Sequence, residues 1–142
     1  MGQYDRDFHA WAHAQSDAVR RRSTGEIDWD NVAEELEGLG KQQASELKSR
    51  YVVLIAHLLK WTLHPERRGN SWRTTILEQR ARIADHVEEN PSLKALDEDV
   101  FERAYKVARL RAAREMKHAP EGVPVLPPFT PEQASAEDFW PE

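Results

Sequence analysis

Residues 51–83 read YVVLIAHLLKWTLHPERRGNSWRTTILEQRARI, and this stretch decides the fold. From Val52 to Leu63 apolar side chains fall on every side of a helical wheel, interrupted by His57 and Lys60. A helix that is apolar all round is a central, buried one. Pro65 ends it, because its ring lacks an N–H and keeps the preceding His64 out of the α region. Residues 67–71 form a loop. Asn70 or Ser71 then caps a further helix whose core side is Trp72, Ile76, Gln79 or Arg80, Ile83 and Val87. The apolar run is too short to cross a bilayer, which takes about 20 residues, so no membrane partner is expected.

Outward from this stretch the helical period continues. Tyr4, Phe8, Trp11, Ala14 or Gln15, and Ala18/Val19 predict an amphipathic helix over residues 4–22, closed by Ser23-Thr24-Gly25. Asp28 or Asp30 caps the next helix, and Glu34, Glu35 and Glu37 suit the positive end of its dipole. Val32, Leu36, Leu39, Leu47, Tyr51, Leu54, Leu58 and Trp61 carry it on in steps of mostly three and four. A bend is expected at Gly38–Gly40, where each glycine costs about 1 kcal/mol against alanine. Asn90-Pro91-Ser92 separates the third helix from a fourth, which runs to about His118 through Leu93, Leu96, Val100, Phe101, Ala104, Tyr105, Ala108, Ala112 and Met116. Five prolines between 120 and 131 make an extended connector. Thr130-Pro131-Glu132-Gln133 is a helix start with a capping hydroxyl, a first-turn proline and a glutamine three residues on. Phe139-Trp140 is either a plug on its own bundle or a peptide offered to a partner. The expectation is an all-α, single-domain bundle of four main helices over 1–118, with the Pro-rich connector and a docked C-terminal tail at 119–142 on the same domain.

A chain of 142 residues suffices for one hydrophobic core. The absence of cysteine excludes disulfides, thiolate metal sites and a cysteine nucleophile, and fits a reducing, cytoplasmic setting. The net charge of −5 conceals segregation. Residues 26–48 carry seven acids against two bases, residues 60–82 six bases against two acids, and residues 103–118 six bases against one acid. Alternating blocks read as helices that attract antiparallel neighbours. The acidic total argues against a dedicated nucleic-acid binder.

Three constellations could carry chemistry. Trp61, Arg67, Arg68, Trp72 and Arg73 form a cationic, aromatic corner where a loop enters a helix N-terminus. Free N–H groups, forked guanidiniums and stacking faces suit a small anion or an acidic protein. The same arginines could instead pair internally with Glu34, Glu35 or Glu37, with both tryptophans in the core. His9 and His13 sit four apart and could chelate a divalent metal, or could simply line a solvated face. His57 could ligate a metal, but Glu34–His57 spans roughly 35 Å of helix, so a bonded core histidine is the competing reading. No Glu-x-x-His, phosphate loop, nucleophile elbow or His-Glu-x-x-His is present. No catalytic residue and no cofactor is therefore assigned.

The segments YDRDFHAWAHAQ, IDWDNVAEELEGLGK, HLLKWTLHPERRGNSWRTTILEQRARI, NPSL and DFWPE, in that order, resemble the bacterial domain-of-unknown-function family number 29. The resemblance covers essentially the whole chain. It implies an all-α fold in a family of cyanobacteria and proteobacteria, and it implies no activity, so no site residue is carried over. The residues themselves point to a non-enzymatic binding or interaction module acting through the corner or a helix face. The alternative is a metal- or phosphate-dependent enzyme near His57 and Arg67, Arg68 and Arg73. Trp11, Trp29 and Trp140 permit a dimer without requiring one.

Overall fold

In a computed structural model, which describes residues 2–142, the chain is all-α. Its helices are α1 (Gln3–Arg6), α2 (Phe8–Arg20), α3 (Trp29–Leu63), α4 (Asn70–Glu89), α5 (Asp97–Met116) and α6 (Pro131–Ser135), with short 3₁₀ turns between most of them. Two compact units divide the chain at Gln42/Gln43, and α3 contributes residues to both.

The first unit has a small core sewn together by polar groups. Asp7 breaks the predicted first helix in two: its carboxylate accepts from the Ala10 N–H and caps α2. Tyr4 meets Phe8 and Trp11 edge-on and Phe8 is tilted against Trp11, with centroids 4.7–5.7 Å apart. Trp11 Nε1 donates to Asp28 at 3.0 Å, the Asp28 N–H donates to Gln15 at 2.7 Å, and the Tyr4 hydroxyl donates to Glu35. That bond, more than any other influence, raises the Tyr4 pKa to about 12. Gly38 and Gly40 both lie inside unbroken helix, and a Cβ on either would meet open space.

The second unit holds the main core. The C-terminal half of α3 is buried nearly all round, through Leu47, Tyr51, Leu54, Ile55, Ala56, Leu58 and Leu59. Against it lie Ile76 and Ile83 of α4 and a face of α5 on which Ala104, Ala108 and Ala112 recur every four residues. Helix α4 starts after Gly69, which has no side chain to cap it, so neither Asn70 nor Ser71 plays that role. Pro91–Leu96 is a 3₁₀ turn rather than the first turn of α5. Helix α5 ends at Met116, with Lys117 left-handed at φ 59° and the His118 N–H returning to the Ala113 carbonyl. The connector and tail close the core through Val123, Phe129 and Ala134, and Thr130 and Gln133 make the full capping box of α6.

Charge blocks do not act mainly by pairing neighbouring helices. Asp17–Arg21, Glu46–Arg50, Glu78–Arg82, Asp99–Arg103 and Arg111–Glu115 each join residues four apart. Among the described residues, the pairs joining different α-helices are Lys60–Glu115 and His86–Glu46.

Candidate functional site

The cationic corner resolves into two parts. Arg68 is half-buried: its Nε donates to the Trp61 carbonyl at 2.7 Å and its guanidinium lies 5.3 Å from the Trp61 ring. Trp61 stacks in turn on Trp140, 4.7 Å away, and the Arg80 guanidinium lies 5.3 Å from Trp140 on the tail. Two cations and two indoles thus form a ladder, favourable because each guanidinium faces a negative π-cloud. Trp72 is half-buried beneath Lys60, whose Nζ lies 5.6 Å from the ring and 2.6 Å from Glu115. Desolvation pushes the Glu115 carboxyl up, but bonds from Lys60 and Arg111 outweigh it and hold the group below its ordinary value. Arg67 and Arg73 are exposed and belong to no ion pair among the described residues.

Arg80 is buried more deeply than Lys60, at 3% against 8% exposed. It donates to three main-chain carbonyls of the tail: Ala134 at 2.8 Å, Phe139 at 2.6 Å and Glu137 at 3.4 Å. Burial pushes its pKa down, against the pull of Asp138 and Glu137. Helical spacing placed this residue on the core side of α4. What it grips lies more than fifty positions away, which spacing does not reveal.

Beside Arg80 opens a cavity of about 390 Å³, lined also by Tyr51, Lys94, Asp97 and Ser135. The buried Tyr51 hydroxyl donates to Asp97 at 2.5 Å, and desolvation followed by this bond raises its pKa.

The family model described as a domain of unknown function, DUF29, matches residues 3–140. The chain belongs to the DUF29 family. No curated protein and no solved structure gives a match. The family description names no activity and leaves the role of each DUF29 side chain to its geometry.

The six histidines of this DUF29 chain fall into four settings, one of them the buried His86, whose Nε2 is bonded to the Gln43 carbonyl at 2.8 Å. His57 is half-buried, and its Nδ1 is bonded to the Val53 carbonyl at 2.8 Å. Desolvation lowers its pKa. His9 and His13 are exposed on α2 with rings 4.6 Å apart. Sequence reasoning did not single out His64 and His118, whose Nε2 atoms meet at 2.9 Å. The available signal was positional, since each histidine immediately follows or nearly follows a helix end. Among the described residues, no group of three or more His, Cys, Asp or Glu is placed to hold a metal, and no helix is long and apolar enough to cross a membrane.

Proposed function

We propose that this protein is a non-enzymatic interaction module that docks a partner helix on the first unit. The observation that carries this is an apolar seam on α3: Trp29, Leu36 and Leu39 are 59%, 63% and 56% exposed. Their spacing of seven and three puts them on one face, with Ala33 and Gly40 beside them. Exposed aromatic and leucine side chains in a row mark a surface that another apolar face covers. An open groove of about 590 Å³, lined by Val19, Arg20, Arg22, Thr24, Ile27 and Trp29, lengthens the seam at its N-terminal end, where its charge turns basic.

Charge selects the occupant. Residues 26–48 carry seven acids against two bases, and Asp30, Glu34 and Glu37 beside the seam are exposed. A second copy of the same seam would bring like charges together, whereas an amphipathic helix with lysine or arginine flanks is attracted. The test uses two synthetic helical peptides with the same leucine seam, one lysine-flanked and one glutamate-flanked. Wild-type protein should bind the lysine peptide at least tenfold more tightly, and L36Q/L39Q should lose that binding while keeping its melting temperature. Equal affinity for both peptides, or unchanged binding by the variant, would sink the proposal. Self-association by ultracentrifugation would reassign the seam to a second copy. The cysteine-free sequence supports a cytoplasmic setting.

A second reading keeps an acidic partner or small anion on the corner. Its support is the exposed, unpaired Arg67 and Arg73 at the uncapped start of α4, with Trp72 beside them. R67E/R73E should then abolish capture of a glutamate-rich peptide, and retained capture would remove this reading.

A further inference from the structure

The geometry points to a divalent transition-metal site between His64 and His118, separate from the docking seam and independent of it. His64 directly follows the last residue of α3, and its N–H is held by the Lys60 carbonyl at 2.9 Å. Pro65 restricts its backbone further. His118 sits just past α5, fixed by its N–H bond to Ala113 at 2.8 Å. Its ring lies against Gly122, where an added Cβ would come within 3.4 Å of Nδ1. Two imidazoles from distant parts of the chain are thus anchored by backbone that is itself bonded.

Two negative features here favour a cation, set against the bases Lys106, Arg111 and Arg114 that line a groove with His118. The negative ends of α3 and α5 both terminate here. Glu66 Oε1 lies 2.8 Å from His64 Nδ1. The carboxylate accepts, so the proton sits on Nδ1 and the Nε2 lone pair faces His118. This is the outer-shell arrangement that orients metal-binding histidines and raises their basicity. Without metal, the His118 Nε2–H donates into that lone pair. With metal, His118 carries its proton on Nδ1 instead, and both Nε2 atoms become ligands with no net loss of a proton.

Distances agree with the assignment. Metal–nitrogen bonds of about 2.0–2.1 Å place two imidazole nitrogens about 2.9 Å apart for a right-angled pair and about 3.4 Å for a tetrahedral one. The observed separation is 2.9 Å, with the rings 5.0 Å apart between centroids, so a slight tilt spans that range. No third protein ligand is in place among the described residues. The remaining positions go to water or to a donor brought by another molecule, which makes the site an open one. Imidazole ligation suits zinc, copper or nickel rather than magnesium or calcium.

The test is calorimetric titration of tag-free, full-length protein with Zn²⁺. The exposed His9–His13 pair is a competing chelate, so H9A/H13A must be run beside H118A. The expected result is one Zn²⁺ bound by wild type and by H9A/H13A, none at this site in H118A, and a 10–100-fold weaker site in E66Q. Unchanged circular dichroism checks that H118A is folded, and H118Q replaces it otherwise. Uptake lost only in H9A/H13A, an H118A isotherm matching wild type, or no uptake by wild type would each overturn the assignment. A Ni²⁺ titration followed by NMR adds a second readout, since paramagnetic broadening should reach the His64 and His118 ring signals first.

Discussion

Replacing Arg80 by methionine should release the C-terminal tail. The guanidinium makes two strong bonds to tail carbonyls, at 2.8 and 2.6 Å, and one weak bond at 3.4 Å. Bonds from charged donors contribute about 1.5–3 kcal/mol each, so the two strong ones gross about 3–6 kcal/mol. Contact with Trp140 adds about 0.5–2 kcal/mol. Against this stands the desolvation of a cation that is 3% exposed, which methionine removes. The net loss expected is about 2–4 kcal/mol, or a fall in melting temperature of about 10 °C. Urea unfolding of the full chain measures the first quantity, and amide exchange at residues 134–140 localises it. R80K should behave nearly as badly, because one ammonium cannot reach both separated carbonyls as the fork does. A loss of less than about 0.5 kcal/mol in R80M, with tail amides still protected, would refute this role for Arg80.

Further outcomes are expected in the same unit. Burial lowers the His57 pKa below its ordinary value near 6.5, so the unfolded chain takes up that proton first. The stability due to the neutral ring is fully present above pH 6.5 and falls below it; H57Q should flatten that slope in urea titrations run at several pH values, and an unchanged slope would remove His57 as its source. Exchanging Lys60 for methionine keeps the stem over Trp72 but strips Glu115 of its partner at 2.6 Å. Chemical denaturation should register about 1–2 kcal/mol, because Glu115 retains Arg111. Y51F removes the donor to Asp97 and should lose about 1–2 kcal/mol with little change in the far-ultraviolet spectrum; a neutral result would mean that Asp97 rehydrates freely.

What the sequence revealed follows from the range of the forces involved. Helical period is local, so the apolar stretch around Leu54–Leu59 identified the buried half of α3, and Thr130-Pro131-Glu132-Gln133 identified the start of α6 down to both capping bonds. Gly38 and Gly40 do not interrupt α3, because propensity is a weak prior that tertiary context overrides. Asp7 was read within one helix because the aromatic period of Tyr4, Phe8 and Trp11 runs across it, although its carboxylate caps α2. Pairings between distant positions lay beyond local reasoning. Trp61 meets Trp140, and His64 meets His118, only once the chain has closed. The corner at Arg67–Arg73 was legible as composition, but which arginine turns inward depends on where the Trp61 carbonyl and the tail arrive.

The same closure explains why this chain uses arginine where charge blocks alone would accept lysine. Proline removes an N–H and keeps its carbonyl, so five prolines between 120 and 131 leave acceptors in surplus over donors. Helix α5 supplies the missing donors from one face: Tyr105 donates to Pro124 at 2.6 Å, and Arg109 donates to Val123 at 2.9 Å and Pro120 at 2.7 Å. Arg80 does the same for the end of α6 and the tail beyond it, and Arg68 for the end of α3. These side chains satisfy carbonyls of irregular backbone or of a helix's last turn, which have no ladder partner; a planar fork can reach two such points and an ammonium one. A positive block near an irregular segment is therefore first a source of hydrogen-bond donors for that segment. Only the cations left over, Arg67 and Arg73 among them, remain exposed to meet another molecule.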